Sequence, residues 1–450
     1  MYIIISGGTT IWIGIDDTDS RKGGCTTHLA WKLVENLNKH DLDIIGYPRL
    51  VRLNPNIPWK TRGNGAVSIR IGKGQGAEQL IGHTKDKKIV CFEKGKKIEN
   101  KDKSLDLLID ITKKTLKNHA RLNDENTNSG FVIFDKKPVI SFYRKAVKSI
   151  VSIEESLDFL DKNAVFYKGY KNKRGVIGAT GAVSWEPKND RTYELIAYRP
   201  KDRWGKKRAI EDESAKEIDK IFTSTFDNFD YKNNHNRLVP SSPCPVLYGI
   251  RGDNNKELIE AKYHIKSEKA EGWLLFKSNQ GTDDHLQEKN VNKIQRYDSV
   301  IVRGEVYKKP ITIKGGHVIF SIRDTTGSID CAGYEPTKEF RDILRNLIVG
   351  DEVKLYGGVR KKPLTINLEK IKVINLSNKI IKVENPVCPK CGKHMKSIGK
   401  EQGYKCKKCG IKSYKEKMRR IDRRIKTGLY EVPVCARRHL SKPLKRIDLP

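Results

Sequence analysis

Four cysteines in the last seventh of the chain constrain its fold more than any other feature. They form two Cys-x-x-Cys pairs, Cys388/Cys391 and Cys406/Cys409, with fourteen residues between the pairs. Two such pairs bring four thiolates into the tetrahedron that a structural Zn²⁺ ion prefers, and a closed four-sulfur site has no position for a catalytic water. The sequence therefore predicts a zinc ribbon over 385–412 whose metal stabilises the fold. A redox-active pair of dithiols is the alternative.

The charge of the chain indicates what kind of partner it has. Lys and Arg number 89 and Asp and Glu 55, a formal net charge of +34, and residues 385–450 alone contain 20 basic and 5 acidic residues. Such a basic surface favours a polyanion, most simply a nucleic acid. The longest apolar runs are too short for a transmembrane helix or a signal peptide. We therefore expect a soluble, cytoplasmic protein with no membrane partner.

The hydrophobic periodicity predicts an α+β protein with several domains. Residues 11–134 have the order β-α-β-β-α-β, which is typical of a ferredoxin-like layer, and a second split β-α-β unit begins near 165, with a strand at Ala182–Trp185. Alternating apolar residues over 296–375 predict the five short strands of an OB-fold barrel, which either binds RNA or only spaces its neighbours. We expect domains at 11–164, 165–290, 291–380 and 385–412, and a basic C-terminal tail at 413–450.

An acidic segment follows the first predicted strand. Three carboxylates lie within four residues, at Asp16, Asp17 and Asp19, and the pair Gly23-Gly24 precedes a helix that begins near Thr26. Clustered carboxylates suit Mg²⁺ carrying a nucleoside triphosphate, and glycines let backbone N–H groups approach phosphate. An acidic turn with Thr26 or Thr27 capping the helix would look the same. No Walker A sequence occurs in the chain.

Glycine, basic and aromatic residues are mixed in the middle of the chain. Residues 169–185 read GYKNKRGVIGATGAVSW, and YRPKDRWGKKR at 198–208 contains Tyr198, Arg203 and Arg208. This composition suits close approach to a polar ligand or a stacked base. A basic loop beside a turn would have the same composition, so this signal alone is weak.

In combination these motifs resemble one known family. The segments GIDDTDSRKGGCTTHLA (14–30), RGNGAVSI (62–69), GVIGATGAVSW (175–185), RWGKKR (203–208) and NQGTDDHL (279–286) precede the four-cysteine ribbon in that order. The chain is thereby similar to the archaeal 2-agmatinylcytidine synthetases of the minor isoleucine tRNA. The resemblance covers nearly all of the chain from about residue 11.

The resemblance implies a tRNA-modifying ligase. Enzymes of this family join agmatine to C2 of the wobble cytidine in the CAU anticodon, so that the tRNA reads AUA, and convert ATP to AMP and diphosphate. It implies an atypical kinase-like α/β domain at the N-terminus, then a ferredoxin-like domain, an OB-fold barrel and the zinc ribbon. The implied cofactors are ATP, Mg²⁺ and structural Zn²⁺.

The resemblance also implies roles for particular residues. The metal and ATP would be held by Asp16, Asp17 and Asp19. Lys22, Gly23 and Gly24 would lie near phosphate. The threonine that this family autophosphorylates corresponds to Thr26, which follows Cys25. The agmatine or cytidine side falls in the middle unit, where our candidates are Tyr198, Arg203 and Arg208.

Two other functions stay open on the residues alone. A non-catalytic RNA- or single-stranded-DNA-binding protein would use only the OB barrel, the ribbon and the basic tail, and would leave the acidic segment unexplained. A phosphotransferase acting on another nucleic acid would release ADP. The chemistry of the residues is consistent with the ligase, because the C2 oxygen of cytosine leaves only after activation and the attacking amine must lose a proton to a base, which we expect to be a carboxylate.

Overall fold

The computed structural model describes residues 10–96, 98, 101–360 and 363–447. The first 169 residues contribute seven strands and four helices. The strands are β1 (Ile11–Asp16), β2 (Asp43–Ile44), β3 (Arg49–Arg52), β4 (Gly65–His83), β5 (Lys88–Lys96), β6 (Gly130–Phe134) and β7 (Phe166–Gly169). The helices are α1 (Thr26–Asn38), α2 (Lys101–His119), α3 (Ile140–Lys148) and α4 (Ile153–Asn163).

The middle of the chain adds three helices and six strands. The helices are α5 (Gly175–Ser184), α6 (Asp212–Ile221) and α7 (Asn255–His264). The strands are β8 (Thr192–Tyr198), β9 (Thr225–Phe226), β10 (Phe229–Asp230), β11 (His235–Asn236), β12 (Val246–Gly252) and β13 (Gly272–Ser278). Strands β10 and β11 form a separate two-stranded sheet.

One eleven-stranded sheet runs through both of these parts. Its main path is β7-β6-β1-β4-β3-β13-β8-β12-β9, with β2 and β5 paired to β4. The stretch β6-β1-β4-β3 has the antiparallel order of a β-α-β-β-α-β unit, as the sequence predicts. Strands β3 and β13 are parallel, with Arg49 opposite Lys277, and this pairing joins the two units edge to edge. Apolar side chains of α1 and α2 pack on one face of the sheet and form the largest core.

Helix α5 corrects one expectation, because residues 182–184 of the predicted strand Ala182–Trp185 are its last turn. All ten residues of α5 are buried, so its sequence is apolar on every side and has no helical periodicity to read. The helix lies unusually close to the sheet. A Cβ added at Gly14 would come 2.3 Å from the carbonyl oxygen of Ala179, and one at Gly178 would come 1.8 Å from a carboxylate oxygen of Asp16. Glycine is therefore required where this helix crosses β1.

The OB-fold barrel predicted for the third domain is confirmed. Its strands are β15 (Ser299–Thr312), β16 (Val318–Asp324), β17 (Gly327–Gly333), β18 (Glu352–Val359) and β19 (Thr365–Asn375), with the short β14 (Gln287–Glu288) and helix α8 (Phe340–Arg345) beside them. The order β15-β16-β17-β19-β18 closes through pairing of β15 with β18.

No helix among the described residues is both long and apolar enough to cross a membrane.

The ribbon projects from the barrel on a two-stranded stalk. The stalk pairs β20 (Lys379–Glu384) with β24 (Lys417–Ile421), and the ribbon between them contains β21 (Lys396–Ser397), β22 (Tyr404–Lys405) and β23 (Lys412–Ser413). The chain then returns to the barrel, where β25 (Gly428–Glu431) pairs with β19. Residues 432–447, which we call the C-terminal strap, follow β25. The segment expected to be a basic tail thus contains two strands and this strap.

Candidate active site

The acidic segment forms a turn at the carboxyl end of β1. Asp16 is the last residue of that strand, and Asp17 adopts a left-handed φ of 53°. Two hydroxyls from the loop before β6 hold this turn. Ser129 donates to the carbonyl oxygen of Asp17 (3.2 Å), and Thr127 donates to that of Asp19 (2.7 Å). The backbone that carries the three carboxylates is therefore fixed by its neighbour in the sheet.

The first two carboxylates, those of Asp16 and Asp17, are destabilised in their ionised forms. Burial, together with repulsion from Asp17, raises the pKa of Asp16 well above its ordinary value. Burial and repulsion from Asp19 raise the pKa of Asp17 to about 6, although hydrogen bonds from Asn128 oppose that rise. Oxygen ligands of this kind gain most from a hard divalent cation, since the cation removes the repulsion between them. The donor set of Asp16 and Asp17 therefore fits Mg²⁺.

The third carboxylate has a different set of partners. Asp19 accepts hydrogen bonds from the backbone N–H of Thr26 (2.7 Å), the hydroxyl of Thr26 (3.2 Å) and Nε of Arg62 (3.1 Å). The Thr18 hydroxyl in turn donates to Oγ1 of Thr26 (3.1 Å). Asp19 thus accepts a hydrogen bond from the first backbone N–H of α1, as a capping residue does, and fixes the position of the Thr26 side chain.

A cavity, which we call the acidic cavity, opens at this turn. Its lining includes Asp16, Asp17, Asp19 and Thr26 and also a set of apolar residues: Leu53, Ile57, Trp59, Ile150, Val151 and Ile177. The half-exposed ring of Trp59 lies under the guanidinium of Arg174, 4.0 Å from its centroid. Apolar residues together with a few convergent polar groups are typical of the lining of a small-molecule site.

A second, larger cavity adjoins the first; we call it the basic cavity. The two share a wall made of Asp19, Thr26, Arg62 and Gly65. The remaining walls come from β8, β12, the loop 237–246 and the C-terminal strap. Glu194 accepts from Arg251 (3.2 Å), forms an ion pair with Arg52 (3.5 Å) and accepts from Gln280. This carboxylate is therefore already compensated by protein partners.

Three predicted phosphate-site residues lie beside these cavities and line neither. Gly23 and Gly24 have φ angles of 117° and 92°, which explains their identity, and the carbonyl of Gly24 accepts from Arg62. Lys22 lines a separate outer cavity with Arg121. The structure thus brings together Asp16, Asp17, Asp19 and Thr26, but not Lys22 and the two glycines with them.

The three candidates for the agmatine or cytidine side also lie behind the cavity walls. Tyr198 is fully buried and stacked on Trp31, with ring centroids 5.0 Å apart. Arg203 pairs with Glu268 (3.1 Å). Arg208 donates to backbone carbonyls of the loop that lines the basic cavity, those of Pro240 (2.9 Å), Ser242 (2.8 Å), Cys244 (3.1 Å) and Val246 (2.8 Å).

Several cavity residues are not identifiable as individual residues from the sequence. Arg62 lies in the RGNG motif, which the sequence offers only as part of a family pattern. Glu194 and His439 come from a strand and from the strap, more than 200 positions apart, and no local pattern connects them. Their convergence depends on the shared sheet and on the return of the chain after the ribbon.

The four cysteines of the ribbon converge as predicted. Their sulfur atoms all lie within 4.8 Å of one another, and those of Cys391 and Cys406 are 3.5 Å apart. A tetrahedral zinc site with Zn–S bonds of about 2.3 Å needs sulfurs about 3.8 Å apart. After each pair a glycine with left-handed φ, Gly392 (66°) or Gly410 (68°), turns the chain around the thiolates. The arrangement fits one structural zinc and does not favour two separate redox pairs.

Comparison with known families covers most of the chain. Residues 12–172 match the TiaS TCKD domain, 173–285 the TiaS FLD domain, 300–374 an OB-fold nucleic acid binding domain and 385–425 the TiaS C-terminal zinc ribbon domain. Two curated relatives are 2-agmatinylcytidine synthetases TiaS, which act on the minor isoleucine tRNA. That of Methanocaldococcus jannaschii is 45% identical and that of Archaeoglobus fulgidus 40%, and the alignments cover 98% of this chain and 99% and 98% of the relatives.

Solved structures of the same kind superpose on the fold. The crystal structure of TiaS in complex with the minor isoleucine tRNA and ATP matches with a TM-score of 0.83 at 39% identity. That of TiaS with the same tRNA, AMPCPP and agmatine matches with a TM-score of 0.81 at 36% identity. Each match covers 98% of both chains.

Proposed function

The chain belongs to the TiaS family of 2-agmatinylcytidine synthetases, and we propose that its acidic cavity binds ATP and Mg²⁺ for that reaction. The protein is an ATP-dependent ligase that attaches agmatine to the minor isoleucine tRNA. A non-catalytic RNA-binding role explains the OB barrel and the ribbon but not two partly buried, mutually repelling carboxylates that line one cavity. That pair, Asp16 and Asp17, is the observation that carries the proposal.

We place ATP in the acidic cavity with its adenine against Trp59 and the other apolar lining residues. Its triphosphate, which carries a metal ion, would then lie against Asp16 and Asp17. Bound Mg²⁺ would neutralise charge on the phosphates, which favours phosphoryl transfer. Asp16 and Asp17 would hold it there, in their ionised forms.

Thr26 occupies the wall between the two cavities, which suits a hydroxyl that receives a phosphoryl group. Asp19 already accepts a hydrogen bond from this hydroxyl and is placed to accept its proton. Arg62, on the same wall, would pair with the phosphate. Asp19 then serves as the positioning group for Thr26. Lys22 and the Gly23-Gly24 turn support the acidic turn from outside.

We propose that the basic cavity receives the wobble cytidine. With ATP beyond the shared wall, the cytosine C2 oxygen could attack the α-phosphorus and displace diphosphate. The agmatine amine, having lost a proton to a carboxylate, would then attack C2, and AMP would leave with the C2 oxygen as the C2–O bond breaks. AMP and diphosphate are the expected products. Arg208 would shape this cavity by holding the loop 237–246, and Tyr198 and Arg203 would support it from behind. Because its substrate is a tRNA, we also propose that the protein works in the cytoplasm.

Mass spectrometry of the anticodon tests this function. The protein would be incubated with unmodified CAU-anticodon tRNA, ATP, Mg²⁺ and agmatine. We expect the wobble cytidine to gain the mass of agmatine less water, with AMP released in equal amount. Asp17→Asn should abolish the gain and leave tRNA binding intact, since the acidic cavity is separate from the OB barrel and ribbon.

A matched control keeps the charge change constant. Asp41→Asn alters an exposed aspartate just beyond α1 and should leave the product yield unchanged. In the same series, Thr26→Ala should remove protein labelling by γ-³²P-ATP. A mass gain that persists in Asp17→Asn would refute the assignment of the acidic cavity, and ADP as the nucleotide product would favour a phosphotransferase.

A further inference from the structure

The C-terminal strap is fastened to the first two domains along its whole length. Arg446 donates to Asp190 (2.6 Å) and Asp253 (2.7 Å), and the backbone N–H of Lys442 donates to Asp283 (2.7 Å). Between them, Leu440 is buried in an apolar cluster with residues of β3, α3 and α5. Most basic side chains of the strap thus form ion pairs or hydrogen bonds that fix its position.

His439 is the exception within this strap. Its backbone carbonyl accepts from the N–H of Gly281 (2.8 Å), which fixes the residue, but its side chain is exposed and lines the basic cavity. Among the residues that the structure describes, neither ring nitrogen has a hydrogen-bond partner. An anchored backbone with an unpartnered ring that lines a cavity is the arrangement expected of a ligand-contacting residue.

The position of the ring relates it to the shared wall. A Cβ added at Gly63 would come 3.1 Å from Cδ2 and 3.2 Å from Nε2 of His439, so the ring lies against the backbone next to Arg62. Of the described residues that line the basic cavity, His439 has the one aromatic ring. A base entering this cavity has no other aromatic face to meet among them.

Surrounding cations keep this imidazole neutral. Arg52 has the largest effect, and desolvation within the cavity, Arg251, Arg237 and Lys60 add to it, so that the pKa of His439 lies well below its ordinary value. A cationic ring would suit a phosphate, whereas a neutral ring suits a base. Aromatic side chains, histidine included, are the usual stacking surfaces for unpaired bases that a protein splays out of an RNA loop.

We propose that His439 is the stacking surface for the target cytosine in the basic cavity. This inference rests on the proposed function and adds a substrate contact from the C-terminal strap to it. It also explains why the strap returns from the ribbon to the first two domains: it brings an aromatic ring to a cavity whose other described lining residues have none.

Two substitutions separate the ring from its nitrogens. His439→Phe keeps an aromatic face, and His439→Asn keeps a polar group without one. Base stacking on a side chain is worth enough to change kcat/KM for tRNA by about 10- to 100-fold. We therefore expect His439→Asn to lower kcat/KM for tRNA by that factor and His439→Phe to stay within about threefold of the parent. The affinity for ATP should not change in either variant, because the acidic cavity lacks this residue.

Each other pattern of rates overturns the proposal. An active Asn variant with an inactive Phe variant would assign a hydrogen bond or proton transfer to the ring nitrogens. Equal losses, or no loss, in the two variants would exclude stacking as the role of the ring.

If the parent protein formed no product, the proposed function would fail, and pyrrolocytidine at the wobble position of an anticodon stem-loop would test stacking directly. Its fluorescence should be quenched by the parent and the Phe variant but not by the Asn variant; equal quenching by all three would refute the proposal.

Discussion

Asp17 and Asp19 are two residues apart, but their carboxylates have different partners in the structure. Asp19 is compensated by Arg62 and by the hydrogen bonds that fix Thr26. Asp17 forms no ion pair with a cation of the described chain, and burial together with Asp19 raises its pKa to about 6. The free protein therefore bears a cost for ionising Asp17, which a bound cation would remove.

This cost predicts a specific pH dependence of stability. An aspartate whose pKa is raised in the folded protein binds its proton more tightly there than in the unfolded chain. The free energy of unfolding therefore falls as pH rises from about 4 to above 6, by up to about 3 kcal/mol for a shift of about two pKa units. Asp17→Asn should lose this dependence, so its stability relative to the parent should increase over that interval when Mg²⁺ is absent.

Denaturant titrations from about pH 4 to about pH 7.5, with and without Mg²⁺ and a non-hydrolysable ATP analogue, would measure the effect. The stabilisation by metal and nucleotide should grow as pH rises through about 6, because the ionised carboxylate is the binding form. A constant stability difference between parent and variant at all pH values would show that the pKa of Asp17 is not raised in the folded protein.

At the scale of elements, the sequence predicts what periodicity and spacing encode. The β-α-β-β-α-β order, the five barrel strands and the converging cysteines are all present, because alternation, turn residues and ligand spacing are local signals. Asp16, Asp17 and Thr26 are predictable because they flank one strand and one helix. Helix α5 is not, because a fully buried helix has no polar face. The basic cavity is not predictable either, because its walls come from segments hundreds of residues apart.

Helix α5 also supplies a prediction about its own packing. A Cβ at Gly178 would come 1.8 Å from Oδ2 of Asp16, so Gly178→Ala must displace either the helix or a carboxylate of the acidic cavity. We expect a loss of about 1–3 kcal/mol in stability from overpacking. Asp16 is one of the residues proposed to hold the metal. Because displacement of such a group by about 1 Å costs on the order of 100-fold in rate, agmatine transfer should fall by a similar factor. Stability and product formation would be measured on the same preparation.

Gly181→Ala is the matched control in the same helix. A Cβ there meets the end of the Leu53 side chain at 3.2 Å, which can shift slightly, and both substitutions add the same helix propensity. The control should retain most of its activity. If the two variants behaved alike, the effect of Gly178→Ala would come from the helix in general and not from its contact with Asp16.

At the scale of the whole molecule, largely buried polar pairs join the middle unit to the barrel. The His285 ring pairs with Glu369 (3.1 Å) and Lys370 with Asp283 (2.5 Å), in each case joining the end of the middle unit to β19 of the barrel. The strap adds Arg438, which pairs with Glu369 (3.2 Å). The motif NQGTDDHL, which alone resembles a linker, is thus the junction between the eleven-stranded sheet and the OB barrel.

Arg446 is the residue at which to test whether the strap contributes to activity, as the proposed role of His439 requires. Arg446→Ala removes the cation that Asp190 and Asp253 share, and only Asp190 keeps another, Lys442 (2.9 Å). Since both carboxylates are partly exposed, we expect a loss of about 2 kcal/mol. Hydrogen exchange across 432–447 should accelerate, and agmatine transfer should fall because His439 moves with the strap, while ATP affinity is retained. Arg424→Ala, at an exposed position before β25, is the control and should change neither quantity. If hydrogen exchange in the strap became faster while agmatine transfer stayed undiminished, the strap would have a structural role only and would not contact the substrate.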